Sequence, residues 1–539
     1  MFSACVSFVR RKVCCKMAGN KEVIYELNLP LKAIVFNHTE YDKETLTPRT
    51  GDAGEQLVDC LRNDMQITDI DHKHNLTKME VVTALIKVAQ EGDKYAGLII
   101  CISSHGELEP PYGDYNEIIH ARDMPYAKDE LWKHFETQEA WKDKPILIFI
   151  QACRGADPTP GIRAYSHDVD ERVEMPKPQF TVPKYPNLFV MNASQPGTVS
   201  FRWDDTTPFV EALIDVLRCR ATEWDLVQIA THVCHKVAMS FEACDVHREG
   251  YECSLQMPCF ETTLTRKFYF PVRETAQQDV ELETYKLQKK GLAMIFLYDY
   301  EGTDLQERSC VTHDEELLEE TFEKLNFDVE IHRNLGFNEL IGELSDSKRF
   351  KDYDLSFVLF SGYGEKDELI LTDANIGVNE LWQSFLADKC PELQQKPKIF
   401  VISALPYTHE DPSVIVEGVS GKFDKLNVPR NPSQNVTECR KHGAGIQNIP
   451  VTADLLLCFE SAAGRSRYLD DDYAGTIYFK YLSDALLDKR NPDFVSALVA
   501  TNRRFKENMD ENYDDDHEFY RETPIFFSSL RKSVPIVRH

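Results

Sequence analysis

The chain has no long hydrophobic run: nothing in its 539 residues approaches the roughly 18 uninterrupted apolar residues that a membrane-spanning helix needs. It is also poor in positive charge. Against 89 Asp and Glu there are 61 Lys and Arg, giving a net charge of −28 and a pI near 5.0. This argues against nucleic acid as the main partner, because phosphate binding needs clustered basic residues. No secretory h-region is recognisable, and the 15 cysteines are odd in number. A disulfide framework is therefore not expected, and a reducing, cytoplasmic setting is. Basic residues around Cys14 and Cys15 leave two readings for the N-terminal stretch, a lipid-attachment segment or a plain tail.

What the chain does have is the same strand twice. KPILIFIQACRG (144–155) returns as KPKIFVISALPY (396–407). Each is an apolar run suited to a strand covered on both faces. The surroundings repeat as well. LKAIVFN, YAGLIICISSHG, the first quoted strand and NLFVMNASQPG are followed by a helical PFVEALIDVLRC and a β-rich TTLTRKFYFP. GLAMIFLYDY, LSFVLFSGYG, the second quoted strand, DLLLCFESAA, a helical TIYFKYLSDALLDK and TPIFFSSL follow in the same order. Strands alternating with helical patterns predict an α/β fold with a mainly parallel sheet. A repeat of this size is a duplicated domain, not a solenoid.

The first copy carries a possible thiol chemistry. A thiol needs a base to take its proton and donors to hold the oxyanion formed on attacking a carbonyl. Cys153 and His105 each end an apolar strand, where parallel sheets present their sites. The 48 residues from 105 to 153 let neighbouring strands carry the pair. Gly106 follows the histidine, and Cys153 sits in the string Gln151-Ala152-Cys153-Arg154-Gly155. That string with a histidine about 50 residues upstream is a nucleophile signature.

On these motifs, together with Arg49-Thr50-Gly51-Asp52, SQPGTVSFRW and MPCFETTLTRKFYF, residues 30–271 resemble a caspase catalytic domain. The resemblance implies two caspase-like domains, each a six-stranded, mainly parallel sheet flanked by helices. It implies a cysteine endopeptidase cutting protein substrates after aspartate, in apoptosis or a related pathway. Cys153, His105 and Gly106 would be catalytic, with the histidine supported by a backbone carbonyl near Thr47. Arg49, Gln151 and Arg202 would hold the substrate carboxylate, which two guanidiniums and an amide suit. Ser200 and Phe201 would lie on the strand lining the cleft, and Asp170 would be the preferred processing position. No cofactor or metal is implied. A superficial zinc-like set (Cys234, His235, Cys244, His247, Cys253) lacks a paired CxxC and remains the alternative chemistry.

The expected boundaries are 1–29, too short for a recruitment domain; 30–271, catalytic; 272–290, linker; 291–530, the second copy; and 531–539, a tail. Aligning the copies sets Tyr363 against His105, Leu405 against Cys153, Ser403 against Gln151 and Leu469 against Arg202, while Arg308 keeps the Arg49 position. The second copy therefore resembles a catalytically dead caspase domain. It would serve as an intrachain pseudo-dimer partner, paired through FYF (268–270) and IFF (525–527), or merely fold beside the first domain or bind another caspase. The alternative function is a non-hydrolytic regulator, decoy or activator, that binds other caspases or their adaptors.

Overall fold

The structure is a computed structural model. It describes residues 22–109, 116–155, 159, 161–163, 186–202, 205–242, 254–272, 281–365, 368–406, 448–460, 474–511 and 523–538. In the first repeat, β1 (Leu31–Asn37), β2 (Asp69–His74), β3 (Gly97–Ser103), β4 (Ile146–Gln151) and β5 (Leu188–Asn192) run parallel, and β6 (Cys259–Thr262) closes the sheet antiparallel to β5. The second repeat builds the same order from β7 (Gly291–Leu297), β8 (Phe327–Arg333), β9 (Leu355–Glu365), β10 (Lys398–Pro406), β11 (Leu455–Phe459) and β12 (Ile525–Ser528). Strands β1, β3, β4 and β5 are buried at every position. Helices cover both faces of the sheet, which is why these strands read as continuous apolar runs.

The two sheets are one. β6 pairs antiparallel with β12, in the register Phe260↔Ser528, Glu261↔Phe527 and Thr262↔Phe526. The strand order is thus β2-β1-β3-β4-β5-β6-β12-β11-β10-β9-β7-β8. The strand expected at this join in the first repeat, 268–270, is not the one used. The chain turns away after Thr262, whose hydroxyl donates to the Leu188 carbonyl at 2.9 Å. Phe268 and Phe270 go into the core, and the Phe268 carbonyl accepts from Leu226 N. The alternating Phe-Tyr-Phe pattern suited an edge strand, but tertiary packing claimed both rings.

Helices α1 (Ala53–Asp59), α2 (Lys78–Ala89), α3 (Pro208–Arg220) and α4 (Leu226–Ser240) flank the first half, and α5 (Val311–Lys324), α6 (Phe337–Ser345), α7 (Ile477–Leu487) and α8 (Phe494–Glu511) the second. Val81 and Leu85 of α2 join one face of the first sheet half, and Leu340 and Leu344 of α6 the matching face of the second. On the opposite face, side chains from α1, α3, α4, α5, α7 and α8 form a core that runs unbroken across both repeats.

Chain segments outside the expected domains also pack. Tyr25 donates to Asn187 Oδ1 at 2.7 Å. Its counterpart Tyr285 donates to Asp454 Oδ1 at 2.5 Å, and Arg531 grips both oxygens of Asp454 at 2.8 and 2.7 Å. This buried ion pair ties the stretch after β12 to the turn before β11. Removing one partner leaves a buried charge uncompensated. Asp454→Ala should therefore destabilise the chain by about 3–5 kcal/mol, read as a lower urea midpoint for the second repeat, whereas an unchanged midpoint would refute this role.

Candidate active site

The parallel register sets the candidate pair side by side. Ser103 at the end of β3 faces Gln151 at the end of β4, so His105 and Cys153 each stand two residues further along adjacent strands. Gly106 is required by the closeness of the two chain ends. A Cβ there would lie 2.4 Å from the Cys153 carbonyl oxygen.

His105 is buried, and its Nε2 lies 2.9 Å from the Thr47 carbonyl. A carbonyl only accepts, so Nε2 carries the proton and Nδ1 holds the basic lone pair. Burial, reinforced by the nearby Arg49 charge, pushes the imidazole pKa down to about 4. The ring is then neutral at physiological pH, as a proton acceptor must be. Tyr41, which sequence reasoning did not single out, packs its ring 5.0 Å from that of His105. Its hydroxyl accepts from His105 N at 3.3 Å and donates to the His38 carbonyl at 2.9 Å. A tyrosine in a loop gives no sequence signal for such a role.

The half-buried Cys153 Sγ rests against Ser200, 3.4 Å from its amide and 3.6 Å from its carbonyl oxygen. The segment Ser200–Arg202 is irregular rather than the expected strand, because its pairing stops at Thr198, whose carbonyl accepts from Arg154 N at 2.9 Å. Phe201 is buried and packs on Phe241 at 5.0 Å; it belongs to the core behind the segment.

Arg49 and Arg202 line one cavity with Thr50, Ser103 and Thr207. Arg49 donates to Ser103 Oγ at 3.0 Å, and Arg202 to Thr50 Oγ1 at 3.1 Å. Gln151 is buried beside them, held by Thr207 at 2.8 Å and Ser200 at 3.1 Å. Among the described residues, no carboxylate pairs with either guanidinium. Burial, with the Arg49 charge, lowers the Arg202 pKa to about 10. Asp205 also lines this cavity but is ion-paired with neither arginine, so the two guanidiniums leave the pocket electropositive.

A buried network links the cysteine's neighbour to the join between the repeats. Arg154 pairs with Glu117, Glu117 with Lys128 at 3.1 Å, and Lys128 with Glu261 of β6 at 2.6 Å. Burial opposes ionisation of Glu117, but the Arg154 and Lys128 charges outweigh it and hold the carboxyl down at about 2. Four residues spread over 145 positions of sequence gave no local signal.

The second repeat preserves the frame without the chemistry. Tyr363 faces Leu405 in the β9–β10 register. The Tyr363 phenol donates to the Gln306 carbonyl at 3.0 Å, and Arg308 donates to Ser361 Oγ at 3.0 Å, matching the Thr47 and Ser103 contacts of the first repeat. Tyr363 stacks on Tyr300 at 4.8 Å, and Ser403 bonds to Glu460. Leu469 and Asp170 lie outside the described residues, as do Cys244, His247 and Cys253 of the zinc-like set. Of that set's remaining members, Cys234 donates to the Pro258 carbonyl while His235 stacks on His232.

An NMR titration of His105 in a Cys153→Ala chain should give a pKa near 4, and Arg49→Ala should raise it by removing a like charge. A value near the ordinary 6.5 that does not respond to Arg49 would contradict this electrostatic picture.

Comparison with known proteins agrees with the repeat. The Caspase domain family matches residues 31–269 and again 290–535. Caspase-1 of Spodoptera frugiperda is 29% identical over 253 residues, covering 45% of this chain and 79% of that one. Caspase-6 of Mus musculus is 30% identical over 262 residues, covering 47% and 91%. The crystal structure of Caspase-1 from Spodoptera frugiperda is 26% identical and covers 47% of this chain and 98% of that chain, with a TM-score of 0.41. With both halves matched, the chain belongs to the caspase family of cysteine proteases and carries two caspase domains in tandem.

Proposed function

We propose that the chain is a cysteine endopeptidase that cleaves protein substrates after aspartate, in the cytoplasm, in apoptosis or a related proteolytic pathway. The observation that carries this reading is a buried, neutral His105 level with Cys153, beside two guanidiniums without an ion-pair partner among the described residues.

The chemistry follows from those groups. Nδ1 of His105 takes the Cys153 proton, and the thiolate attacks the carbonyl carbon of the aspartyl residue. The amides of Gly106 and Cys153 are the donors for the oxyanion, whose stabilisation is usually the largest single contribution. The imidazolium then protonates the leaving amine, a thioester forms, and water attacks it with His105 again as base. Arg49, Arg202 and Gln151 receive the aspartate side chain. Ser200–Arg202, which belongs to no strand, is the segment along which an extended peptide aligns. Asp170 remains the proposed processing position.

The second domain, lacking nucleophile and base, acts as a built-in partner that orders the first. Supporting this, the chain leaving Cys153 pairs at Gly161–Arg163 with Asn448–Pro450 of the second repeat, and Gln195 Nε2 donates to the Thr452 carbonyl at 3.1 Å. A tethered partner acts at an effective concentration on the order of millimolar, so no second chain is needed.

A fluorogenic peptide with aspartate at P1 should be cleaved by the full chain and not by Cys153→Ala. Arg202→Ala should lower kcat/KM by about 10- to 100-fold, the loss of one hydrogen bond to a charged group. Absence of turnover in the wild-type chain, even after cleavage at Asp170, would favour the non-hydrolytic regulator instead. A second test addresses the built-in partner. Phe526 is buried at the join, its ring 6.4 Å from Phe260. Phe526→Asp should abolish most turnover by parting β6 from β12, and full activity in that variant would exclude the activating role.

A further inference from the structure

Away from the thiol site, at the outer edge of the sheet, one group of side chains has no part in the proposed peptidase chemistry. Strand β2 is the last strand on the first repeat's side, and alternation along it puts His72 and His74 on one face. Glu55, in the first turn of α1, reaches both. Its Oε2 lies 3.5 Å from His72 Nδ1 and its Oε1 lies 3.5 Å from His74 Nε2. The two imidazole rings are 4.1 Å apart. With one ligand atom taken from each residue, the three lie within 4.8 Å of one another.

We propose that Glu55, His72 and His74 form a binding site for a divalent cation of the zinc class. Ligands about 2.0–2.1 Å from a tetrahedral ion stand about 3.3–3.4 Å from each other, so donor atoms that lie within 4.8 Å of one another reach that spacing by side-chain movements of about an ångström. Two imidazoles and one carboxylate leave a fourth position for water. His72 presents Nδ1 to this group, while its buried Nε2 has no hydrogen-bond partner among the described residues.

The second repeat supplies an internal comparison. Asn37 faces His74 in the β1–β2 register, and Leu297 faces Arg333 in the equivalent β7–β8 register. Arg333 pairs with Glu315 at 2.5 Å and with Asp299 at 3.3 Å. At the same place in the fold, the second repeat thus meets its helix carboxylate with a built-in cation. The first repeat meets its carboxylate with two imidazoles, and an external cation fills the same electrostatic need. The other His/Glu group among the described residues, Glu330, His332 and Glu343, is different. Arg349 already spans it, 3.3 Å from Glu330 and 2.7 Å from Glu343.

Bound metal would tie α1 to β2. Because α1 begins at Ala53, directly after the Arg49–Asp52 string, the ion would also restrain the segment that carries Arg49.

The test needs no peptidase activity. Zn²⁺ is titrated into the full chain carrying Cys153→Ala, which removes the reactive thiol, and hydrogen exchange is followed by peptide. Saturable protection of Ala53–Asp59 and Asp69–His74 is expected. His74→Arg should fold normally, since it copies the Arg333–Glu315 pairing, and should weaken that protection's zinc dependence by at least about tenfold; the exposed Glu55→Gln should do the same. Zinc binding that leaves exchange in both segments unchanged, or equal affinity in the wild-type and His74→Arg chains, would overturn the site.

Discussion

The antiparallel pairing of Cys259–Thr262 with Ile525–Ser528 is the constraint on which the rest of the molecule depends. Each of these strands would otherwise be an exposed sheet edge, with unpaired amides and carbonyls and an aromatic face. Meeting, they satisfy each other and continue one apolar core across both repeats. The same join positions the network from Glu261 through Lys128 and Glu117 to Arg154, next to the candidate nucleophile. The geometry around Cys153 is therefore coupled to a strand contributed by the other half of the chain.

Comparing the two sites shows what the fold needs and what the chemistry needs. The fold needs a polar side chain after the third strand that can reach a backbone carbonyl, and an arginine that can reach the serine ending that strand. His105 with Thr47 and Arg49 with Ser103 do this in one repeat; Tyr363 with Gln306 and Arg308 with Ser361 do it in the other. A phenol, with an ordinary pKa near 10, meets the structural requirement and supplies no base at neutral pH. The polar anchor is thus present in both repeats, while the thiol and imidazole stand at these positions only in the first.

Much of the fold was legible because strands buried on both faces have no polar positions to confuse the reading, as in Leu31–Asn37 and Ile146–Gln151. The placing of His105 opposite Cys153 followed from strand order and spacing. Other features were not legible. The joining strand differs from the expected 268–270, whose alternating aromatics look like an edge, while the actual strand ends in Thr262, whose hydroxyl bonds back to β5. Tyr41 and Glu117 act through contacts made by distant chain segments. Glu55 and the two histidines of β2 meet only because a helix folds back over an edge strand.

The sequence by itself determined the duplicated α/β architecture, the family, and which repeat has a thiol and an imidazole to use, since these depend on local pattern and residue identity. Tertiary structure alone decided how the halves join, which state His105 adopts, and which charges are left without partners. Those outcomes depend on burial and on distances between groups far apart in the chain, and the strength of an electrostatic contact is set by its surroundings more than by the residues that make it.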